Sequence, residues 1–223
     1  MIEQLKDAFQ PHLEIARAEW QHSYMRGQFP FLGIARPLQK KVSTEVFKKA
    51  DLSSFESLVE ELWECGEREF QYAAIDLALF CKKRWTSRTL ALFERMIRTK
   101  SWWDTVDTLA PHLVGSLFER HPELVSCTDE WIDDEYMWIR RSAIIFQLGR
   151  KEKTDEKRLF SFCLKRASEK EFFIRKAIGW ALREYGKTNP ESLRKFLREN
   201  GSSLSPLSFR EARRRIDLFG KDL

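Results

Sequence analysis

The chain has 223 residues, of which 43% are hydrophobic, and its formal net charge is +5. A chain of this length and apolar content can bury a sizeable core, which excludes a disordered polypeptide, and the basic charge favours a polyanionic partner. No apolar stretch approaches the roughly 18 residues that cross a bilayer, and the first twenty residues lack the apolar run of a signal peptide. We therefore expect a cytoplasmic protein without a membrane segment.

Apolar residues recur at intervals of three and four along most of the chain, which predicts amphipathic helices rather than strands. Only nine glycines and seven prolines interrupt these patterns. Three helix starts are marked by residue pairs that cap free N–H groups, namely Ser53 with Glu56, Asn189 with Pro190, and Ser208 with Glu211. The predicted fold class is all-α.

A weak internal repeat links the helices that begin with an aromatic residue. Their leading residues are separated by 33, 35 and 35 residues, and they are Phe70, Trp103, Trp138 and Phe173. A period of this size, with two helices in each unit, is typical of helical solenoids, which present one concave surface. No linker divides the sequence, so we predict a single domain of HEAT-like repeats over residues 1–223.

The repeat places one unusual set of side chains on equivalent helix faces. It contains indoles, cations and one carboxylate, at positions zero, three, four and seven from the leading aromatic residue: Trp103, Asp107, Trp138, Arg141, Lys176 and Trp180. Aromatic residues at helical spacing are usually core, but charged residues are rarely buried without partners. We therefore predict that this stripe lines a groove. A second face is the better core candidate, with Ile139, Ala143, Phe146, Ile174, Ile178 and Ala181.

The predicted lining suits the removal of a cationic base from DNA. Indole faces attract cations, and the cationic side chains can hold backbone phosphates without reading sequence. A carboxylate that faces a sugar can stabilise the positive charge that develops when a glycosidic bond breaks. A purine alkylated at N3 or N7 is already a good leaving group, so the site needs no strong general acid.

Five stretches of the sequence resemble the AlkD-type family of bacterial DNA alkylation repair glycosylases. They are YMRGQFPFLGI from Tyr24, EREFQYAAIDLAL from Glu67, KSWWDTVD from Lys100, WIRRSAIIFQL from Trp138 and FFIRKAIGWALREYGKTNP from Phe172. The resemblance implies HEAT-like repeats around a basic cleft, and excision of N3- and N7-alkylated purines such as 3-methyladenine and 7-methylguanine from duplex DNA. The segment after FLGI departs from the family pattern at Ala35 and Arg36, which weakens the comparison for the first helices.

The resemblance also assigns roles to individual residues. It makes Asp107 the catalytic carboxylate, with Trp103 and Trp180 beside the lesion, and Arg141 a phosphate ligand. Tyr24 and Arg183 match positions near the DNA. Lys176 joins this set because it occupies the position in its repeat that Arg141 occupies in the preceding one.

Other classes of function find less support in the sequence. The four histidines and four cysteines are not spaced like metal ligands, and no glycine-rich loop indicates a phosphate-bearing cofactor, so we expect neither metal nor cofactor. A helical-repeat protein that binds damaged or branched DNA without catalytic activity is the main alternative, and a scaffold for protein partners is a weaker one. A carboxylate among groove cations favours the enzyme, because it would only weaken simple DNA binding. We expect the protein to act as a monomer.

Overall fold

The computed structural model describes residues 1–214 and 216 of the chain. Every regular element in these residues is helical, which confirms the predicted all-α class. None of the described helices combines the length and apolar character that crossing a membrane requires. The chain divides into two compact units, Met1–Leu92 and Phe93–Leu223, and the single domain over residues 1–223 remains a prediction.

The first unit is built from α-helices. They are α1 (Ile2–Phe9), α2 (Ile15–Tyr24), α3 (Arg36–Phe47), α4 (Phe55–Glu64) and α5 (Arg68–Phe80), and α6 (Thr89–Arg98) spans the division between the units. Helix α1 packs on α3, and both α3 and α4 pack on α5. Phe70, the first of the four repeated aromatic residues, is the third residue of α5 and is buried.

In the second unit, four helices pack on one another in succession, and three further helices pack against them. Its helices are α7 (Trp103–Thr108), α8 (Gly115–Arg120), α9 (Cys127–Trp131), α10 (Met137–Ile145), α11 (Glu156–Lys165), α12 (Phe172–Tyr185), α13 (Pro190–Asn200) and α14 (Pro206–Ala212). Helix α7 packs on α10, α10 on α12, and α12 on α14, while α9, α11 and α13 contact members of this row. This succession of equivalent helices is the packing expected of helical repeats.

The repeat register predicted from the aromatic residues is correct in this unit. Trp103 is the first residue of α7, while Trp138 and Phe173 are the second residues of α10 and α12. The face predicted to form the core is buried throughout, with Ile139, Ala143, Phe146, Ile174, Ile178 and Ala181 all excluded from solvent. The hydrophobic periodicity therefore identified the core of this unit.

Only one of the three predicted helix starts is confirmed. Asn189 caps α13, and its side chain accepts the N–H of Ser192 at 3.1 Å. The start at Ser53 is wrong by one residue, because Ser54 is the residue before α4. The start at Ser208 is also wrong. Ser208 lies inside α14, where its N–H donates to the true cap, Ser205, at 3.1 Å.

A buried carboxylate fixes the loop that precedes α3. Glu69 is fully buried and accepts the N–H groups of Leu32, Gly33 and Ile34 at 2.9, 3.0 and 3.1 Å. Burial raises the pKa of Glu69, whereas these hydrogen bonds lower it. The neighbouring Arg68 is also fully buried, with its guanidinium 3.7 Å from the centre of the Phe29 ring. The FLGI segment is thus tied to the start of α5.

Gly33 is the position in this loop that tolerates a side chain least. Its φ is +84°, and a Cβ atom there would lie 2.0 Å from the carbonyl oxygen of Glu14. We expect Gly33→Ala to lower the free energy of unfolding by about 2–4 kcal/mol, from backbone strain and from this clash.

Gly27→Ala is the matched control, because Gly27 has a similar φ of +73° but only an ordinary contact with His22 at 3.5 Å. Gly27→Ala should lower the free energy of unfolding by about 1 kcal/mol, from backbone strain alone. Urea unfolding of both variants measures the difference, and equal costs would show that the contact with Glu14 relaxes freely.

Candidate functional site

Asp107 and Trp103 lie on the same face of α7, one turn apart. The helix continues into a π-helical segment, Leu109–Val114, which contains Pro111. Proline has no N–H, so the carbonyl oxygen of Asp107 lacks the donor that an α-helix would supply four residues later. Wider helical turns of this kind are frequent at functional sites. The backbone beside Asp107 is therefore irregular, a feature that the sequence analysis did not predict.

The carboxylate of Asp107 is held by the guanidinium of Arg141 through two hydrogen bonds. Arg141 Nε donates to Oδ1 and Nη2 donates to Oδ2, both at 2.8 Å. Arg141 Nη1 donates to the carbonyl oxygen of Phe173. One side chain of α10 thus connects α7 with α12. Bidentate pairs of this type are strong and fix the orientation of the carboxylate.

The pair lies largely out of solvent. The Arg141 side chain is 4% exposed, and that of Asp107 is 21% exposed. Burial raises the pKa of the Asp107 carboxyl above its ordinary value, while the hydrogen bonds and positive charge of Arg141 oppose this rise. Since the carboxylate retains some exposure, Asp107 is the member of the pair that a ligand can reach.

An aromatic cluster supports the pair. The ring centres of Trp138 and Phe173 are 4.9 Å apart, and Trp102 lies 5.7 Å from Trp138 and 5.2 Å from Phe173. The guanidinium of Arg141 lies 5.9 Å from the centre of the Phe173 ring. Trp138 is 5% exposed, so its prediction as a groove-lining residue is wrong. It belongs to the core because Trp102 and Phe173 cover it.

The other predicted site residues of this unit lie on α12. Trp180 is partly exposed. Lys176 and Arg183 share one carboxylate, that of Glu211 on α14, with Lys176 Nζ 3.1 Å from Oε1 and Arg183 Nη1 2.5 Å from Oε2. The sequence analysis had interpreted Glu211 as part of a helix cap. The roles predicted for Lys176, Arg183 and Arg141 at DNA phosphates remain predictions, and each side chain is engaged by a carboxylate in this structure.

Tyr24 lies in the first unit, at the end of α2. Its side chain is exposed and its ring stacks on that of Trp20, with centres 5.3 Å apart and planes 15° from parallel. Trp20 was not among the predicted site residues, and it lies one turn before Tyr24 on a helix without buried residues. The role of Tyr24 near DNA remains a prediction.

Within residues 1–214 and 216, histidine, cysteine and acidic side chains form no group of three that could hold a metal ion. The ionisable groups of the site instead form the two carboxylate–cation clusters already described, around Asp107 and around Glu211. In each cluster a carboxylate is held in place by the cations that surround it.

The helical repeats and the fixed carboxylate on the same helix face as Trp103 are the features to compare with known families. The chain matches the family described as DNA alkylation repair enzyme over residues 5–216. It therefore belongs to that family, which confirms the resemblance found in the sequence. No curated protein matches the chain.

Solved structures show the same fold. A protein from Enterococcus faecalis, described as a predicted DNA alkylation repair enzyme, is 33% identical with a TM-score of 0.84, and the match covers 92% of this chain and 96% of the other. AlkD2 from Streptococcus mutans is 15% identical with a TM-score of 0.64, covering 90% and 99%. The protein smu.31 from Streptococcus mutans UA159 is 16% identical with a TM-score of 0.62, covering 91% and 97%. At 15% and 16% identity, the two matches from Streptococcus mutans show a shared fold and nothing more.

Replacing Arg141 should change the acidity of Asp107. Arg141→Ala removes the charge that opposes the effect of burial, so the pKa of Asp107 should rise further above its value in the unaltered protein. Titration of the carboxyl carbons of aspartate by NMR measures this shift.

Arg140→Ala is the control, since it removes one cation from the adjacent position but breaks a pair with Glu169 instead. It should leave the pKa of Asp107 nearly unchanged. A similar shift in both variants would mean that the pair with Arg141 has no special effect on Asp107.

Proposed function

We propose that the chain is a DNA glycosylase that removes cationic N3- and N7-alkylated purines, including 3-methyladenine and 7-methylguanine, from duplex DNA. The reaction is hydrolysis of the N-glycosidic bond, the first step of base excision repair. The observation that carries this proposal is the Asp107–Arg141 pair, which holds a partly exposed carboxylate in one orientation on the same helix face as Trp103.

The reaction requires little besides a negative charge in the right place. The bond between C1′ and N9 breaks, and its electron pair passes to the purine, which leaves as a neutral base. Positive charge develops on the deoxyribose, at C1′ and the ring oxygen, and a nearby carboxylate stabilises it. Water then adds to C1′ and loses a proton, which leaves an abasic site. Because the base is cationic from the start, no strong general acid is needed.

Asp107 suits this role because it is both oriented and accessible. Each carboxylate oxygen accepts one hydrogen bond from Arg141 and keeps further lone-pair capacity for a water molecule or for the charge on the sugar. A group that is already held in place need not reorganise during the reaction, which is the main advantage of fixed charges in enzymes. Arg141 is then a positioning residue, and Asp107 the catalytic one.

The indoles of Trp103 and Trp180 provide the second part of the proposed site. Both side chains are partly exposed. The negative face of an indole attracts a cation by about 0.5–2 kcal/mol, depending on its exposure to water. A positively charged alkylpurine would therefore be favoured over a neutral base. In the proposed enzyme these residues lie against the lesion, and Lys176, Arg183 and Tyr24 contact the surrounding DNA.

The proposed enzyme acts as a monomer in the cytoplasm and without metal or cofactor. Its four cysteines all lie among the described residues and form no disulfide there, as expected in a reducing compartment. Burial raises the pKa of Cys127 to about 12, so this thiol stays protonated at neutral pH. HEAT-like repeats that form a basic concave cleft around the duplex belong to the same proposal.

Asp107→Asn provides the central test. We expect single-turnover excision of 7-methylguanine from a duplex to fall about 10²- to 10³-fold, because the amide cannot stabilise the developing positive charge. Affinity for the same duplex should change little. Release of the free base under metal-chelating conditions, together with a parallel binding titration, measures both quantities.

Asp129→Asn is the control for the loss of one acidic group in the same unit. Asp129 is paired with Arg158, and its side chain is more than half exposed, so this variant should excise at the normal rate. Absence of excision by the unaltered protein, with DNA still bound, would favour the alternative of a binding protein without catalytic activity. Equal losses of binding and excision in Asp107→Asn would indicate a binding role for the carboxylate.

The pH dependence of excision provides an independent test. Asp107 acts as a carboxylate, so activity should be present above its pKa and disappear as the pH falls through it. Burial raises this pKa, and the acid limb should therefore lie above that of an ordinary aspartate, whose pKa is about 3.9. A pH–rate profile on a substrate that is stable to acid over the assay measures the limb. A profile that stays flat down to the ordinary aspartate pKa would contradict this assignment.

A further inference from the structure

Glu211 occupies the next equivalent position in the series of charged residues. Asp107, Arg141, Lys176 and Glu211 follow one another at intervals of 34, 35 and 35 residues. They lie on α7, α10, α12 and α14, the helices that pack in succession in the second unit. The series therefore has a carboxylate at each end and two cations between them. Each carboxylate pairs with the neighbouring cation of the series.

A glycine allows Glu211 to approach α12 closely. A Cβ atom on Gly179 would lie 2.5 Å from the Cβ of Glu211 and 2.9 Å from the carbonyl oxygen of Ser208. Lys176 and Arg183 are three residues before and four residues after Gly179, so they lie on the same face and flank this contact. The Glu211 carboxylate is thus placed between two cations and binds both of them.

The two ends of the series differ in their exposure to solvent. The Arg141 side chain is 4% exposed, so the cation of this pair is almost fully enclosed by protein. The Lys176 and Arg183 side chains are 36% and 21% exposed and that of Glu211 is 14% exposed, so this cluster is partly buried and its cations are more open to solvent than its carboxylate. An ion pair whose cation keeps contact with solvent loses less when it is broken than one whose cation is buried. The contacts of Lys176 and Arg183 with Glu211 are therefore more easily exchanged than the contact of Arg141 with Asp107.

We propose that Glu211 is an intramolecular competitor of the DNA backbone: its carboxylate takes the place of a phosphate between Lys176 and Arg183, and duplex binding must displace it. This inference rests on the proposed function, because it requires the chain to bind duplex DNA. Its consequence is weaker binding to any duplex, damaged or not, since phosphate contacts do not read the base. Such a competitor keeps a repair protein from being retained on undamaged DNA.

Glu211→Gln tests the proposal by removing the charge while keeping the size of the side chain. We expect the affinity for an undamaged duplex to increase about three- to tenfold, because two cations no longer have to leave a carboxylate before they bind phosphate. The affinity for the same duplex with one 7-methylguanine should increase by an equal factor.

Glu184→Gln is the matched control. Glu184 lies on α12, as Lys176 and Arg183 do, but it pairs with Lys187, so Glu184→Gln changes the net charge equally without releasing Lys176 or Arg183. Its effect on affinity should be less than about twofold. In a protein that already carries Lys176→Gln and Arg183→Gln, Glu211→Gln should raise the affinity for duplex DNA by no more than the control does.

The unaltered protein offers a second measurement. The hydrogen bonds from Lys176 and Arg183 lower the pKa of Glu211, so displacement of its carboxylate by DNA should raise this pKa. NMR titration of the Glu211 carboxyl carbon, with and without duplex, measures the change. The proposal would be overturned by equal affinities for Glu211→Gln and Glu184→Gln, by weaker binding of Glu211→Gln, or by an unchanged pKa on DNA binding. Failure of the unaltered protein to bind any duplex would instead refute the proposed function.

Discussion

The guanidinium of Arg141 is a positive charge placed almost entirely out of water, and its partners come from two other helices. The carboxylate of Asp107 belongs to α7, and the carbonyl oxygen of Phe173 belongs to α12. Removal of one partner from a buried ion pair typically costs about 3–5 kcal/mol, because the remaining charge is left uncompensated. The second unit is thus constrained to keep these three helices in register. The orientation of Asp107 is a consequence of how the helices pack.

The same constraint explains how an acidic residue can occupy a site proposed to bind a polyanion. Within the series from Asp107 to Glu211, each carboxylate is compensated by a cation of the neighbouring helix. The two pairs differ mainly in their cations, since Arg141 is almost fully buried, whereas Lys176 remains partly open to solvent and can exchange its partner in the proposed competition with phosphate. The first unit also compensates a buried carboxylate across helices, since Arg36 binds Asp76 through two hydrogen bonds at 2.7 and 2.8 Å.

Local sequence signals located one helix start and misplaced two, and they did not show which side chains are covered by neighbouring helices. Asn189 was correctly predicted as a cap because proline follows it and fixes the first turn. Ser208 has the spacing of a cap relative to Glu211, but Ser205 performs that function, and Glu211 turns toward α12 instead. Trp138 shares a helix face with charged residues, yet it is buried because Trp102 and Phe173 cover it.

The sequence by itself determined the helical class, the register of the repeats, the core face of the second unit and the membership of a DNA repair family. These follow from periodicity and from motifs, which are properties of neighbouring residues along the chain. The tertiary structure decided which charges meet. Residues 34 or 35 positions apart are brought to hydrogen-bond distance only by the packing of successive helices. For that reason the sequence placed Asp107, Arg141 and Lys176 on one stripe, while their pairing and the part played by Glu211 emerged only from the fold.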